Sequence, residues 1–120
     1  MEQEDTVIAF NEAINNQDIE ALSSLMSEEH TFIDTAGTSF AGKKGSVKTW
    51  KGFFEAFPDY KNYFEKIIKA DDKVIVIGKS SCSYSDLDGP AIWTAKVKEE
   101  KVTEWRVYDD STENRISLGI

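Results

Sequence analysis

The chain has 120 residues, 40% of them hydrophobic and 30% charged, with a formal net charge of −8 and an isoelectric point near 4.6. That size and balance describe one folded domain with a core of its own and exclude a disordered chain. The acidity argues against nucleic acid, which needs a clustered basic surface, and equally against an anionic membrane face.

No run of about 18 apolar residues is present to span a bilayer. The opening Met1-Glu2-Gln3-Glu4-Asp5 lacks the apolar stretch of a signal peptide. Cys82, the single cysteine, has no partner for an internal disulfide. Together these point to the cytoplasm.

Val7, Phe10 and Ile14 recur at helical spacing and predict a first helix, with Asp5 or Thr6 as its N-cap. Asn15-Asn16-Gln17 breaks that pattern, and Asp18 can cap a second short helix with apolar positions Ile19, Leu22, Leu25 and Met26. His30-Thr31-Phe32-Ile33-Asp34 is short and rich in strand formers, and Gly37 and Gly42 bracket a loop. Ser46 can cap a third helix with Val47, Trp50, Phe54 and Phe57 along one stripe, ended by Pro58.

The remainder reads as strands: residues 60–70, 74–84, 91–98 and 101–109, the last two joined as a hairpin across Glu99-Glu100. Asp110 and Glu113 can cap a last short helix. Helices followed by a strand meander predict an α+β domain, its antiparallel sheet covered on one face by helices.

The last strand carries the main ambiguity. Alternate side chains point to opposite faces, so Val102, Glu104, Arg106 and Tyr108 share one face and Thr103, Trp105 and Val107 the other. Ordinary patterning buries Trp105 and Val107. The opposite reading turns Glu104, Arg106 and Tyr108 into a cavity.

Phe10 with Asn15-Asn16-Gln17-Asp18-Ile19-Glu20-Ala21, then His30-Thr31-Phe32-Ile33-Asp34, the run from Trp50 to Tyr60 and Glu104-Trp105-Arg106-Val107-Tyr108 stand in a telling order and spacing. In this the chain resembles the SnoaL-like branch of the nuclear transport factor 2-like superfamily over nearly its whole length. The resemblance implies a cystatin-like cone, in which a strongly curved antiparallel sheet wraps a long helix and a pocket opens between them. It also implies a homodimer through the outer sheet face. The group holds isomerases, cyclases, dehydratases, hydrolases and proteins without chemistry, so fold alone does not fix function.

By that resemblance Asp34 lies near the proton-abstracting aspartate of ketosteroid isomerases, and an aspartate on an apolar wall can act as a general base. The residue reading alone leaves it as a cap of the turn Thr35-Ala36-Gly37. The isomerase reading weakens because Phe10 stands where those enzymes hold a tyrosine donor, with Trp93 near their protonated acid. Arg106 falls near the catalytic aspartate of polyketide cyclases, and an arginine cannot be that base. Epoxide hydrolases set an arginine between two carboxylates, which Asp34, Arg106 and Glu104 could supply. Arg106 is otherwise a structural ion pair or an anchor for an anion.

His30, the only histidine, is a candidate proton relay or a structural group. Phe32, Trp50, Phe54, Phe57, Tyr60, Trp93 and Tyr108 could line a cavity for a small apolar or aromatic ligand, with Glu104 and Arg106 as polar anchors. The same rings could simply fill the cone. With Glu104 and Arg106 inward, Ile92, Thr94, Trp105 and Val107 form an outer face that predicts pairing of two copies.

No metal site is predicted, because one histidine and one cysteine without ligand spacing do not make one, and Asp86-Leu87-Asp88-Gly89 has Val97 where a calcium loop needs its glutamate. Cys82 reads as a buried inert thiol. No phosphate loop, dinucleotide fingerprint or Gly-x-Ser-x-Gly occurs, so no cofactor is predicted. Two functions stay open: a small-molecule-binding protein, with lyase, isomerase or hydrolase chemistry at Asp34 in its catalytic form, and a non-catalytic homodimeric module with a filled cone.

Overall fold

The computed structural model describes residues 2–120, so Met1 at the head of the acidic N-terminal stretch lies outside the described residues. Helix α1 (Gln3–Asn15) buries Val7, Phe10, Ala13 and Ile14 on one stripe. It starts ahead of the predicted cap, at Glu2, whose side chain makes no capping bond, while Thr6 is fully buried inside the helix. Helix α2 (Ile19–Ser24) begins as read: the Asp18 carboxylate accepts from the Ala21 N–H at 3.1 Å.

Strand β1 (Met26–Ile33) takes Met26 from the predicted helix, and β2 (Ser39–Ala41) occupies part of the predicted loop. Helix α3 (Lys43–Ala56) opens at Gly42, whose φ of 90° favours glycine. Ser46, expected as the cap, is inside the helix and donates through Oγ to the Phe40 carbonyl at 3.1 Å. Strands β3 (Lys61–Lys69), β4 (Val74–Ser81), β5 (Gly89–Lys98) and β6 (Lys101–Asp109) follow, then α4 (Thr112–Leu118). The cap of α4 is Ser111, accepting from the Asn114 N–H, while Asp110 grips Arg115 through two bonds of 2.7 and 2.9 Å.

The strands form one curved sheet in the order β2-β1-β6-β5-β4-β3. All neighbours run antiparallel except β1 and β6, which pair in parallel across most of the chain. The mixed α+β cone therefore stands as read. The concave face wraps α1, with Phe10 tilted against Trp105 at 4.6 Å and Phe64 against Trp93 at 5.3 Å.

Curvature comes from surplus residues. Between Phe64 opposite Gly78 and Lys66 opposite Ile77, Glu65 has no partner. Beside this bulge the backbone comes so close that a Cβ on Gly78 would lie 2.1 Å from the Tyr63 carbonyl oxygen, so no other residue fits there.

A second bulge decides the last strand. Val97 faces Val102, but Lys96 faces Glu104, leaving Thr103 as the extra residue. A regular hairpin would set Trp93 opposite Arg106. The extra residue advances the register by one, so Trp93 faces Val107 and Ala95 faces Trp105. Directly opposed residues share a face. Trp93 and Ala95 belong to the core, so Trp105 joins them at 1% exposure and Val107 packs against the same cluster. The inward assignment of Glu104, Arg106 and Tyr108 is thereby reversed, and Trp105 and Val107 are not part of an outer face.

Candidate functional site

Between α3 and the concave sheet lies a cavity of about 390 Å³, inside the size range of roughly 300–1,000 Å³ typical of small-ligand sites. Helix α3 contributes Trp50 and Phe53, β1 Phe32, β2 Phe40, β4 Ser80, β5 Ala91 and Trp93, and β6 Trp105 and Val107. Tyr60 closes the wall after the helix. The solvent end is edged by Asp34, Thr35, Asp86, Leu87, Asp88 and Asp109. The rings hold one another: Phe32 lies 5.2 Å from Trp50, Trp50 5.6 Å from Phe53, and Phe53 meets Tyr60 edge-on at 4.8 Å.

Two predicted wall residues sit behind these. Phe54 is buried in the core beside Trp50, and Phe57 packs between Phe53 and Tyr84, so neither lines the cavity.

A polar chain ends at the cavity wall. Asn15 accepts from the Asn62 N–H through Oδ1 and donates to the Asn62 carbonyl through Nδ2, both at 2.8 Å, tying α1 to β3. Ser80 Oγ donates to Asn62 Oδ1 at 2.7 Å and lies 3.2 Å from the Tyr60 hydroxyl. The serine proton is used on Asn62, so the Tyr60 O–H donates to Ser80. Burial pushes the Tyr60 phenol above its ordinary value, so it stays protonated near neutrality.

Asp34 combines both expected roles in one place. Its Oδ1 accepts from the Ala36 N–H at 3.0 Å and the Thr38 N–H at 2.9 Å, which makes it the anchor of the β1–β2 turn. It also lines the cavity, and its Oδ2 has no partner among the described residues.

His30 is elsewhere. It is fully buried against Phe10 at a ring distance of 5.7 Å, with Nδ1–H donating to the Val102 carbonyl at 2.7 Å. Burial lowers its affinity for a proton, the carbonyl opposing that in part, and Nε2 has no partner. It does not line the cavity, which removes it as a relay to a ligand there.

Arg106 and Glu104 lie half-buried on the outer face. The Arg106 guanidinium carbon is 4.6 Å from the centre of the Tyr108 ring, and neither Asp34 nor Glu104 pairs with it. Tyr108 touches the cavity edge while its ring stays with Arg106.

Cys82 is buried, and burial raises its pKa, so it remains a thiol. Among the described residues no three His, Cys, Asp or Glu side chains converge on a metal position, and no helix is long and apolar enough to cross a membrane.

Phe40, Phe53, Ser80, Asp86, Asp88, Trp105 and Val107 are among the wall residues beyond those chosen from sequence. Phe53 had a signal, since it stands three residues after Trp50 on the same helical stripe. Ser80 had one too, since it shares alternation with the buried Val74, Val76 and Gly78. Trp105 and Val107 had none, because the Thr103 bulge decides their side.

Known structures share this frame. An NTF2-like protein of unknown function from Cytophaga hutchinsonii superposes with a TM-score of 0.74 at 16% identity, over 100% of this chain and 96% of its own. A cystatin-fold protein from Novosphingobium aromaticivorans gives 0.76 at 17%, over 89% and 97%. A protein from Shewanella putrefaciens, provisionally named a SnoaL-like polyketide cyclase, gives 0.78 at 18%, over 98% and 88%. At these identities the likeness is one of fold. No curated protein matches the sequence significantly. The model of the SnoaL-like domain family matches residues 7–110, and the chain belongs to that family.

Proposed function

We propose that this SnoaL-like protein binds a small, mostly apolar molecule in the cavity under α3. The carrying observation is the wall itself: all three tryptophans of the chain, with Phe32, Phe40 and Phe53, surround space that reaches solvent beside Asp34. An open space of that size favours a ligand over the filled-cone module.

Proton abstraction by Asp34, in a lyase, isomerase or hydrolase reaction, is a second reading. It is supported by the free Oδ2 on a residue whose other oxygen is fixed by two backbone donors. His30 and Arg106 have no part in it.

Pairing of two copies belongs to the proposal on altered residues. Ile92 and Thr94 lie on the outer face but are already buried within one chain. Ile77, Glu104, Arg106 and Tyr108 are half-buried there, and Glu104 and Arg106 lack ion-pair partners among the described residues. A two-fold axis could set each arginine against the other copy's glutamate.

A thermal-shift screen of small aromatic compounds tests the binding site. Binders should raise the melting temperature of the native chain and lose that effect in Thr49→Trp, which fills the cavity from α3. Equal shifts in a folded Thr49→Trp variant would place the ligand elsewhere. Once a substrate is found, full turnover by Asp34→Asn would exclude the base.

A further inference from the structure

We propose that the cavity selects an aromatic ligand bearing a positive charge or hydrogen-bond donors, an aryl-alkyl ammonium being the simplest case, and rejects carboxylates and phosphates. This rests on the cavity being a binding site.

The first support is the charge of the lining. It holds Asp34, Asp86, Asp88 and Asp109 and no lysine, arginine or histidine. None of these carboxylates has an ion-pair partner among the described residues; the ion pairs seen elsewhere include Glu2 and Glu4 with Lys69, Glu28 with Lys43, and Asp110 with Arg115. The one arginine in the centre of the sheet, Arg106, is on the other face. An anion entering here meets like charge with no counter-charge, and the chain's net −8 acts in the same direction.

The second support lies deeper. Tyr60 and Ser80 line the wall at 7% and 8% exposure. Both hydroxyl protons are committed, Tyr60 to Ser80 and Ser80 to Asn62. What these groups can offer a ligand is lone pairs, which receive N–H or O–H donors and repel the oxygens of an acid.

The third is the wall's aromatic character. Indole faces attract cations and disfavour anions. The three features are independent in origin and agree in sign.

Three probes of matched shape separate the possibilities: phenethylamine, phenethyl alcohol and hydrocinnamate, titrated at neutral pH and low salt. Intrinsic tryptophan fluorescence is the readout, because every tryptophan borders the cavity. The amine should bind about tenfold tighter than hydrocinnamate, with the alcohol between them. Its advantage should shrink several-fold in Asp86→Asn/Asp109→Asn, two exposed positions whose change leaves the core alone. Hydrocinnamate binding as tightly as the amine, or an amine preference untouched by the double substitution, would overturn the inference while leaving the binding site standing. No binding by any of the three would overturn both.

Discussion

Trp93 stands directly opposite Val107 across the β5–β6 ladder, one residue beyond the partner a regular hairpin would give it. The displacement is the work of Thr103, whose Oγ1 donates to the Lys96 carbonyl at 3.2 Å beside the bulge. It places Trp105 in the core and Arg106 outside. Trp105→Ala should therefore cost about 3–5 kcal/mol. Arg106→Ala should cost under about 1 kcal/mol. Urea unfolding of the two variants at one protein concentration checks this; the opposite ranking would restore the inward arginine.

Gly78 is the other point where the sheet's curvature depends on one residue. A methyl group there would have to displace the Tyr63 backbone. Gly78→Ala should destabilise by roughly 2–3 kcal/mol, as overpacking against backbone does. A thermal melt within a degree of the native value would mean that the β3 bulge is not held as described.

His30 ties stability to pH. Its folded proton affinity lies below the ordinary value, because burial disfavours the imidazolium. The unfolded chain therefore binds the proton more readily. The contribution is complete above the unfolded value and is lost as pH falls through the folded one. Urea midpoints should decline as pH falls below about 6.5, the ordinary histidine value. His30→Asn should flatten that decline. An unchanged slope in the variant would assign it to other groups.

The α1 stripe of Val7, Phe10 and Ile14, the Asp18 cap and the turn at Glu99 and Glu100 follow from local chemistry, and the structure keeps them. The α+β cone followed from element order. The wall residues on α3 were partly legible, because helical spacing brings Trp50 and Phe53 to one side. The face of β6 was not, because alternation fixes which residues share a face but not which face is inward. One surplus residue at Thr103 changes that answer without any mark in the hydrophobic pattern. His30 looked chemical by type, and only burial against Phe10 and Val102 removes it from the cavity.

Asp34 can be divided into its structural and chemical parts. Asp34→Ala removes the acceptor shared by the Ala36 and Thr38 N–H groups, and should cost roughly 0.5–1.5 kcal/mol. Asp34→Asn keeps an oxygen in that place and should be nearly neutral for stability. Thermal melts of both variants check this, and equal losses would mean that the charge, rather than the acceptor, holds the turn.

The cavity under α3 is the proposed seat of the ligand. The most direct measurement follows the indole N–H signals of Trp50, Trp93 and Trp105 by NMR while neutral phenethyl alcohol is added. All three should move together and saturate on one curve, while the backbone amides of Ile77 and Arg106 on the outer face stay put. Movement confined to the outer face, with the indoles unchanged, would contradict binding in the cavity.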